Sequence, residues 1–266
     1  MFDSIAGDYD SLNHILSLDM DKIWRKTALK QIVDAPAPAR VLDLACGTGD
    51  FSIAIAKALS RSHKRVGTPI EAHVKAPAKA PVEAQVTSTG FVTGDSGRSD
   101  LMTKGHVTGV DLSEGMLAVM REKVAKAGLT EMISIEEGDG ENLRFPDNTF
   151  DRVTIAFGIR NFEDRPKGLR EMLRVLKPGG RLVILELSRP ENKIIRWFYD
   201  LYFLHILPKV GGKVSGDKAA YAYLPASVAA FPGKKAFMAT MREAGFRAVT
   251  HKAFTLGICR MYTGEK

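Results

Sequence analysis

Cysteine is scarce in this chain: Cys46 and Cys259 are the only two among 266 residues. Two thiols cannot build a disulfide framework or a cysteine-rich zinc site, so a reducing, cytoplasmic setting is the natural expectation. Long apolar runs are missing as well, and none approaches the roughly 18 residues that cross a bilayer. The N-terminus lacks the basic start of a signal peptide and carries Asp3, Asp8 and Asp10 there instead. Glycine (24) and proline (12) are too few for a collagen-like or low-complexity chain. What is present is a 45% hydrophobic fraction, enough for a packed core, and a net charge of +7. No RNA- or DNA-binding signature accompanies that charge, so no nucleic-acid partner is expected; an anionic membrane face stays open.

The chain reads as one domain over residues 1–266, built by alternating strands and helices. Val41–Leu44 is a short apolar run closed by the turn Cys46-Gly47-Thr48-Gly49, after which Ile53, Ala56 and Leu59 recur at helical spacing. A second strand is predicted over His106–Asp111. Ser113 then caps a helix with Met116, Leu117, Met120 and Val124 on one face, and Gly128 ends it. Ile133–Ile135 and Val153–Phe157 read as strands three and four. Pro166 opens a helix with Leu169, Met172, Leu173 and Leu176 on one face; Lys177-Pro178-Gly179-Gly180 stops it before a fifth strand, Arg181–Leu187. A helix from Lys234 to Ala244 and two strands around Val249 and Ile258 complete the pattern. Such alternation implies an α/β fold with a doubly wound, mostly parallel sheet, which binds ligands at the carboxyl ends of its strands.

Two stretches interrupt the rhythm. Residues 62–105 are rich in Ala, Pro, Lys, Gly, Ser and Thr, with Phe91 as the one aromatic, and read as a flexible low-complexity insertion. Residues 190–232 are aromatic and basic, and read as a cap between strands five and six.

A glycine-rich turn after the first strand serves NAD, FAD and S-adenosylmethionine (SAM) alike. Two details favour SAM. Asp43 stands just before the turn, where a carboxylate suits a cationic amino-acid ligand and would repel a pyrophosphate. Asp111, at the end of strand two, is placed to accept both ribose hydroxyls. It lies 62 positions beyond Gly49, and removing the insertion restores the usual gap of about 20; the competing reading of Asp111 is a helix cap. Asp139, with Gly140 beside it, can accept from an adenine amino group or can close an Asx turn. The cofactor set read around this turn and these acids is Asp43, Gly47, Gly49, Asp111, Leu112, Asp139 and Gly140, and no metal is called for.

Tyr9-Asp10-Ser11-Leu12-Asn13-His14-Ile15-Leu16-Ser17, ending in Trp24, resembles the first signature of the menaquinone/ubiquinone biosynthesis C-methyltransferases. Arg174–Gly180, running on through Glu186 to Ser188, resembles their second, and Phe157-Gly158-Ile159-Arg160-Asn161 is similar to their motif after strand four. The resemblance implies a class I SAM-dependent methyltransferase, Rossmann-like and seven-stranded, in which Thr48, Asp111, Asp139 and Gly140 touch SAM. Its implied reaction is C-methylation of demethylmenaquinol to menaquinol. The polyprenyl methoxybenzoquinol of the ubiquinone branch and a non-catalytic SAM-binding role in a quinone-synthesis complex are the alternatives. Family members carry a segment ahead of Phe2–Ala6, so Met1 would be internal to a longer protein. Asp21 stands where many members have His, and Ala156 where some have Ser.

The polyprenylated quinol must lose a phenolic proton, which costs about 4 kcal/mol at pH 7 for a phenol of pKa near 10. Arg160 suits stabilisation of the phenolate, since its fork stays charged at every relevant pH; alternatively it ties its loop to Glu163 or Asp164. His205, with Tyr199, Tyr202 and Tyr221, is a candidate proton relay or a set of packing residues. Asn161 is a candidate partner for the second ring oxygen or a turn residue. By the resemblance, Tyr9 and Asn13 are lid residues over the ligands, whereas Trp24 reads as core. The aromatic and basic run from Arg196 through Trp197, Phe198, Tyr199, Tyr202 and Phe203 suits weak peripheral contact with a membrane's cytoplasmic face. An oligomer is compatible with all of this.

Overall fold

The computed structural model describes residues 17, 19–34, 40–66, 105–202 and 218–266. Seven strands form one sheet: β1 (Arg40–Leu44), β2 (His106–Asp111), β3 (Ile133–Glu137), β4 (Phe150–Ala156), β5 (Leu176–Leu187), β6 (Arg247–Phe254) and β7 (Cys259–Glu265). Their order is β3-β2-β1-β4-β5-β7-β6. All pairs are parallel except those of β7, which runs antiparallel between β5 and β6. The order reverses between β1 and β4, so a crevice opens at their carboxyl ends.

Helices cover both faces. On one, α1 (Met20–Ile32), α2 (Asp50–Val66) and α3 (Glu114–Lys126) bury a core that includes Trp24, Ala28, Ile32, Phe51, Leu117 and Met120. The i, i+4 stripe of α1 is what turns Trp24, Ala28 and Ile32 onto the sheet. On the other, α4 (Arg165–Val175) and α7 (Lys234–Glu243) pack Leu169, Met172, Phe237 and Met241 against β4, β5 and β7. Ser113 Oγ accepts from Met116 N at 3.2 Å, the cap expected of it. Asp164 does the same for α4, accepting from Lys167 N at 2.9 Å. Between β5 and α7 come α5 (Lys193–Leu201) and α6 (Lys218–Ala230), within the stretch expected to form a cap.

Three boundaries differ from the sequence reading. Helix α2 continues to Val66, five residues into the stretch read as insertion. Strand β5 starts at Leu176, because Leu176 pairs with Phe150 and the intervening Lys177–Gly180 bulges out before Arg181 pairs with Arg152. Gly179 takes φ +74 in that bulge, which is why glycine serves there. Phe157, read as the last residue of strand four, lies beyond it at φ +63. Tyr9, Asn13, Phe91, Phe203 and His205 lie outside the described residues, and Tyr221 falls on a stretch of α6 whose side chains are likewise outside them.

Candidate active site

The turn after β1 is tightly coiled, with Ala45, Gly47 and Gly49 at φ +48, +56 and +82. A Cβ on Gly49 would run into Met120, so glycine is needed twice over there. The turn is tied to β2 by Cys46 N, which donates to Val110 O at 3.1 Å. Asp111 secures it further. One carboxylate oxygen accepts from Gly47 N at 2.8 Å and the other from Ser113 N at 2.9 Å. Two backbone donors thus fix the plane of the carboxylate, and Ser113, not Asp111, caps the helix.

Gly47, Asp111, Leu112, Asp139 and Gly140 line one cavity of about 320 Å³. Asp139 Oδ1 closes an Asx turn by accepting from Glu141 N at 2.8 Å, the turn reading of this residue, and Asp139 also lines the cavity. A Cβ on Gly140 would sit 2.5 Å from the Phe162 ring, so the missing side chain lets Phe162 form an apolar wall. Sequence reasoning passed over Phe162; its position five residues beyond Phe157 carries no signal of this kind. Thr48 is buried and accepts from Lys123 Nζ at 3.4 Å. Asp43 lies beneath the turn, fully buried, accepting from Ser52 Oγ at 2.6 Å. Burial pushes its carboxyl up to about 7, opposed by the Ser52 hydroxyl and by Arg25. Neither Thr48 nor Asp43 belongs to the wall of this cavity. The fit to SAM is otherwise good: a glycine cradle, a pinned carboxylate for a diol, and a slot between Leu112, Met116 and Phe162 for a planar ring.

A second cavity, of about 400 Å³, adjoins the first and is mostly apolar. Met20, Trp24, Leu187, Tyr199, Tyr202 and Ile258 contribute to its walls, together with Arg160, Asp21 and Arg25. Trp24 is both core and wall: it is buried, and its Nε1 donates to Thr255 Oγ1 at 3.0 Å. Burial raises the hydroxyl pKa of Tyr199 and of Tyr202 above the ordinary value. Both therefore stay protonated near neutrality and are poor proton acceptors.

Phe157 lines both cavities. Its positive φ is costly for a bulky residue and persists only where the surroundings enforce it. Phe157 N donates to Leu185 O at 2.7 Å, and its carbonyl accepts from Arg160 Nη1. The ring lies against Trp24, with centroids 6.3 Å apart, and beneath the Arg25 guanidinium at 5.5 Å.

Arg160 is buried in an ion pair with Glu186, Nη1 to Oε1 at 2.9 Å, with the side chains 7% and 0% exposed. Glu186 also accepts from Arg160 N at 3.1 Å and Leu187 N at 2.8 Å. The acid that ties this loop is thus Glu186 on β5, not Glu163 or Asp164; its strand position gave no hint in the sequence. Asn161 lines the smaller cavity, not the larger, and accepts from the Tyr223 hydroxyl at 2.9 Å.

Comparison with known proteins agrees with this geometry. The sequence model of the ubiE/COQ5 methyltransferase family matches residues 1–266. A Geobacter sulfurreducens protein described as ubiquinone/menaquinone biosynthesis C-methyltransferase UbiE is 43% identical over 266 residues, which is all of this chain and 87% of that one. A Bacteroides fragilis demethylmenaquinone methyltransferase is 39% identical over the same length, covering 91% of the relative. Among solved structures, a SAM-dependent methyltransferase from Aquifex aeolicus superposes with a TM-score of 0.57 at 19% identity, over 98% of this chain and 97% of that one. The cyclase SpnF does so with a TM-score of 0.58 at 16% identity, over 91% and 81%. One fold therefore serves different reactions, and it is the sequence match that decides. The chain belongs to the ubiE/COQ5 methyltransferase family and is a methyltransferase that uses SAM.

Proposed function

We propose that the protein methylates a ring carbon of demethylmenaquinol, giving menaquinol. The observation that carries this reading is the pair of adjoining cavities, one shaped for an adenosine and one apolar, meeting at Phe157. The names of the relatives support the same ring, since they are described as acting in menaquinone synthesis.

In this reading Asp111 holds the ribose, Asp139 and Gly140 the adenine edge, and Gly47, in the turn that Gly49 shapes, the amino-acid end of SAM. When bound there, SAM supplies an activated methyl group. The second cavity aligns the quinol ring with it, and alignment alone is worth about 7–11 kcal/mol. Arg160 serves chiefly as a positioning residue: Glu186 cancels much of its field at a quinolate, while its hydrogen bond fixes the Phe157 carbonyl. Tyr202 packs on the ring or its tail.

The tail of such a substrate stays in a bilayer, and the rim of the second cavity suits a meeting there. Phe198 is 59% exposed and Leu256 72%, both on the cavity wall, and Trp197 beside them is 61% exposed. Lys193 and Arg196 add cationic charge on the same helix. Among the described residues no helix is long and apolar enough to cross a membrane, so this contact is peripheral.

Incubating the purified protein with SAM and a short-chain naphthoquinol or methoxybenzoquinol tests the reading. Methylated naphthoquinol is the expected product. Methylation of the benzoquinol alone would move the enzyme to the ubiquinone branch, and methylation of neither would overturn the proposal.

A further inference from the structure

We propose that Asp21 is the base that takes the phenolic proton of the acceptor. This assignment rests on the quinol reading of the larger cavity.

Asp21 is buried, 3% exposed, on the first turn of α1, and it lines the cavity. It is the only carboxylate among the described residues lining that cavity. Every other polar group among the described lining residues is unsuited to the task. Arg25 and Arg160 are permanently charged, and Ser17 and Thr255 are hydroxyls with no basicity at neutral pH. The two tyrosines are held protonated by burial. Glu186 is spent on Arg160 and on two backbone N–H groups, and does not reach the cavity.

The carboxylate is also oriented. Asp21 Oδ1 accepts from Ser17 Oγ at 2.7 Å, one turn earlier, and Oδ2 faces Arg25 Nε at 3.7 Å, one turn later. Arg25 in turn stands over the Phe157 ring, on the wall shared with the cofactor cavity. A base and a fixed cation thus lie side by side on one helix face. Among the described residues, the charged and titratable groups around Asp21 are Lys22 and Arg25 on α1, Arg160 from the turn after β4, Tyr199 on α5 and Tyr202 just beyond its end. Asp43 on β1 acts on Arg25, and Asp50 on α2 acts on Lys22.

The quinol O–H bond breaks, its proton passes to the Asp21 carboxylate, and its electron pair enters the ring. The activated ring carbon takes the methyl group from the sulfonium, whose C–S electron pair returns to sulfur. Loss of the ring C–H proton to solvent restores aromaticity, and the proton held on Asp21 returns to the ring oxygen, so that one proton is released per methyl transferred and the carboxylate is regenerated. Arg25 faces the oxyanion while it exists, in a cavity where a charge–charge contact is screened less than in water.

The test compares the intact protein with Asp21→Asn and Asp21→His, using SAM and a short-chain naphthoquinol across pH 5 to 9. Asp21→Asn should lose about 100-fold or more in turnover, the range of a lost general base, while S-adenosylhomocysteine binds within about threefold of normal. Asp21→His should recover much of the loss, with the acidic limb of its pH–rate profile moved to the imidazole range near ~6.5. A merely structural aspartate would not move that limb. Should Asp21→Asn melt early, the profile of Asp21→His carries the test alone. Near-normal turnover in Asp21→Asn, or an unmoved limb in Asp21→His, overturns the assignment. A wild-type protein that methylates no quinol overturns the function reading, and this proposal with it.

Discussion

Removing Arg160 should destabilise the protein far more than a surface arginine would, and the loss should be recoverable through Glu186. Both side chains are almost wholly withdrawn from water. Arg160→Met leaves the Glu186 carboxylate buried with no counter-charge, and breaking one partner of such a pair costs about 3–5 kcal/mol. For a domain of this size each kcal/mol moves the melting temperature by about 2–4 °C, so a fall of roughly 6–20 °C is expected. Glu186→Gln in the same chain removes the stranded charge and keeps an oxygen for the Leu187 or residue-160 backbone N–H. The double variant should therefore be more stable than Arg160→Met alone, with a coupling energy of at least ~1 kcal/mol in a double-mutant cycle. Turnover should fall in Arg160→Met because the Phe157 carbonyl loses a donor, and raising the pH should not rescue it. A guanidinium acting directly on the quinolate would behave differently, since more quinol is ionised in solution at high pH. Calorimetric melts of the four proteins and a pH series of turnover decide the matter. Additive stabilities, or a melting temperature for Arg160→Met within 2 °C of wild type, would refute the reasoning.

Three further expectations follow from the same geometry. In the proposed reading Asp111→Ala removes acceptors for both ribose hydroxyls, and buried donors left unpaired cost about 1–3 kcal/mol, so S-adenosylhomocysteine affinity should drop roughly ten- to a hundredfold by titration calorimetry. An unchanged dissociation constant would discard the ribose role. Asp43 keeps its proton up to about pH 7 in the folded state but only to 3.8 when unfolded, so its burial costs stability progressively as pH rises through that window, up to roughly 4 kcal/mol above it. Asp43→Asn should accordingly gain stability over wild type at pH 8 and little at pH 4; equal gains at both would contradict the buried-carboxyl account. Finally, replacing Trp197 and Phe198 by Ser should weaken sedimentation with anionic vesicles at low salt, and an unaltered bound fraction would remove α5 from the contact.

The turn after β1 and the acid that ends β2 were legible in the sequence because their demands fall on single residues in fixed local order. A glycine must stand where φ is positive and a Cβ would strike Met120, and an acid must end β2 where two backbone N–H groups can aim it. Local order survives even a long insertion, since the stretch between Gly49 and Asp111 can lengthen without altering either end. Burial faces were equally readable: Met116, Leu117, Met120 and Val124 on α3 are all buried as their spacing required. The acceptor half makes demands that no local spacing records. Asp21, Arg25, Phe157, Arg160 and Glu186 come from three separate elements, and their chemistry depends on who faces whom across the cavity. Glu186 reads as an acid at the end of an apolar strand, and only packing reveals that it neutralises Arg160 and thereby turns that arginine from a free cation into a clamp. Asp21 and Arg25 flank the Trp24 stripe of α1 and read as an ordinary i, i+4 surface pair, yet the helix carries them to the rim of the core, where the cavity begins. Phe157 reads as one more strand aromatic until its φ is seen. Strain there is tolerable because it is held from several sides, and what it maintains is a single ring between the two ligand spaces. In the proposed reaction the methyl group passes between the two spaces, and because Phe157 lines both, the backbone strain and the buried ion pair that fix it serve one geometric end.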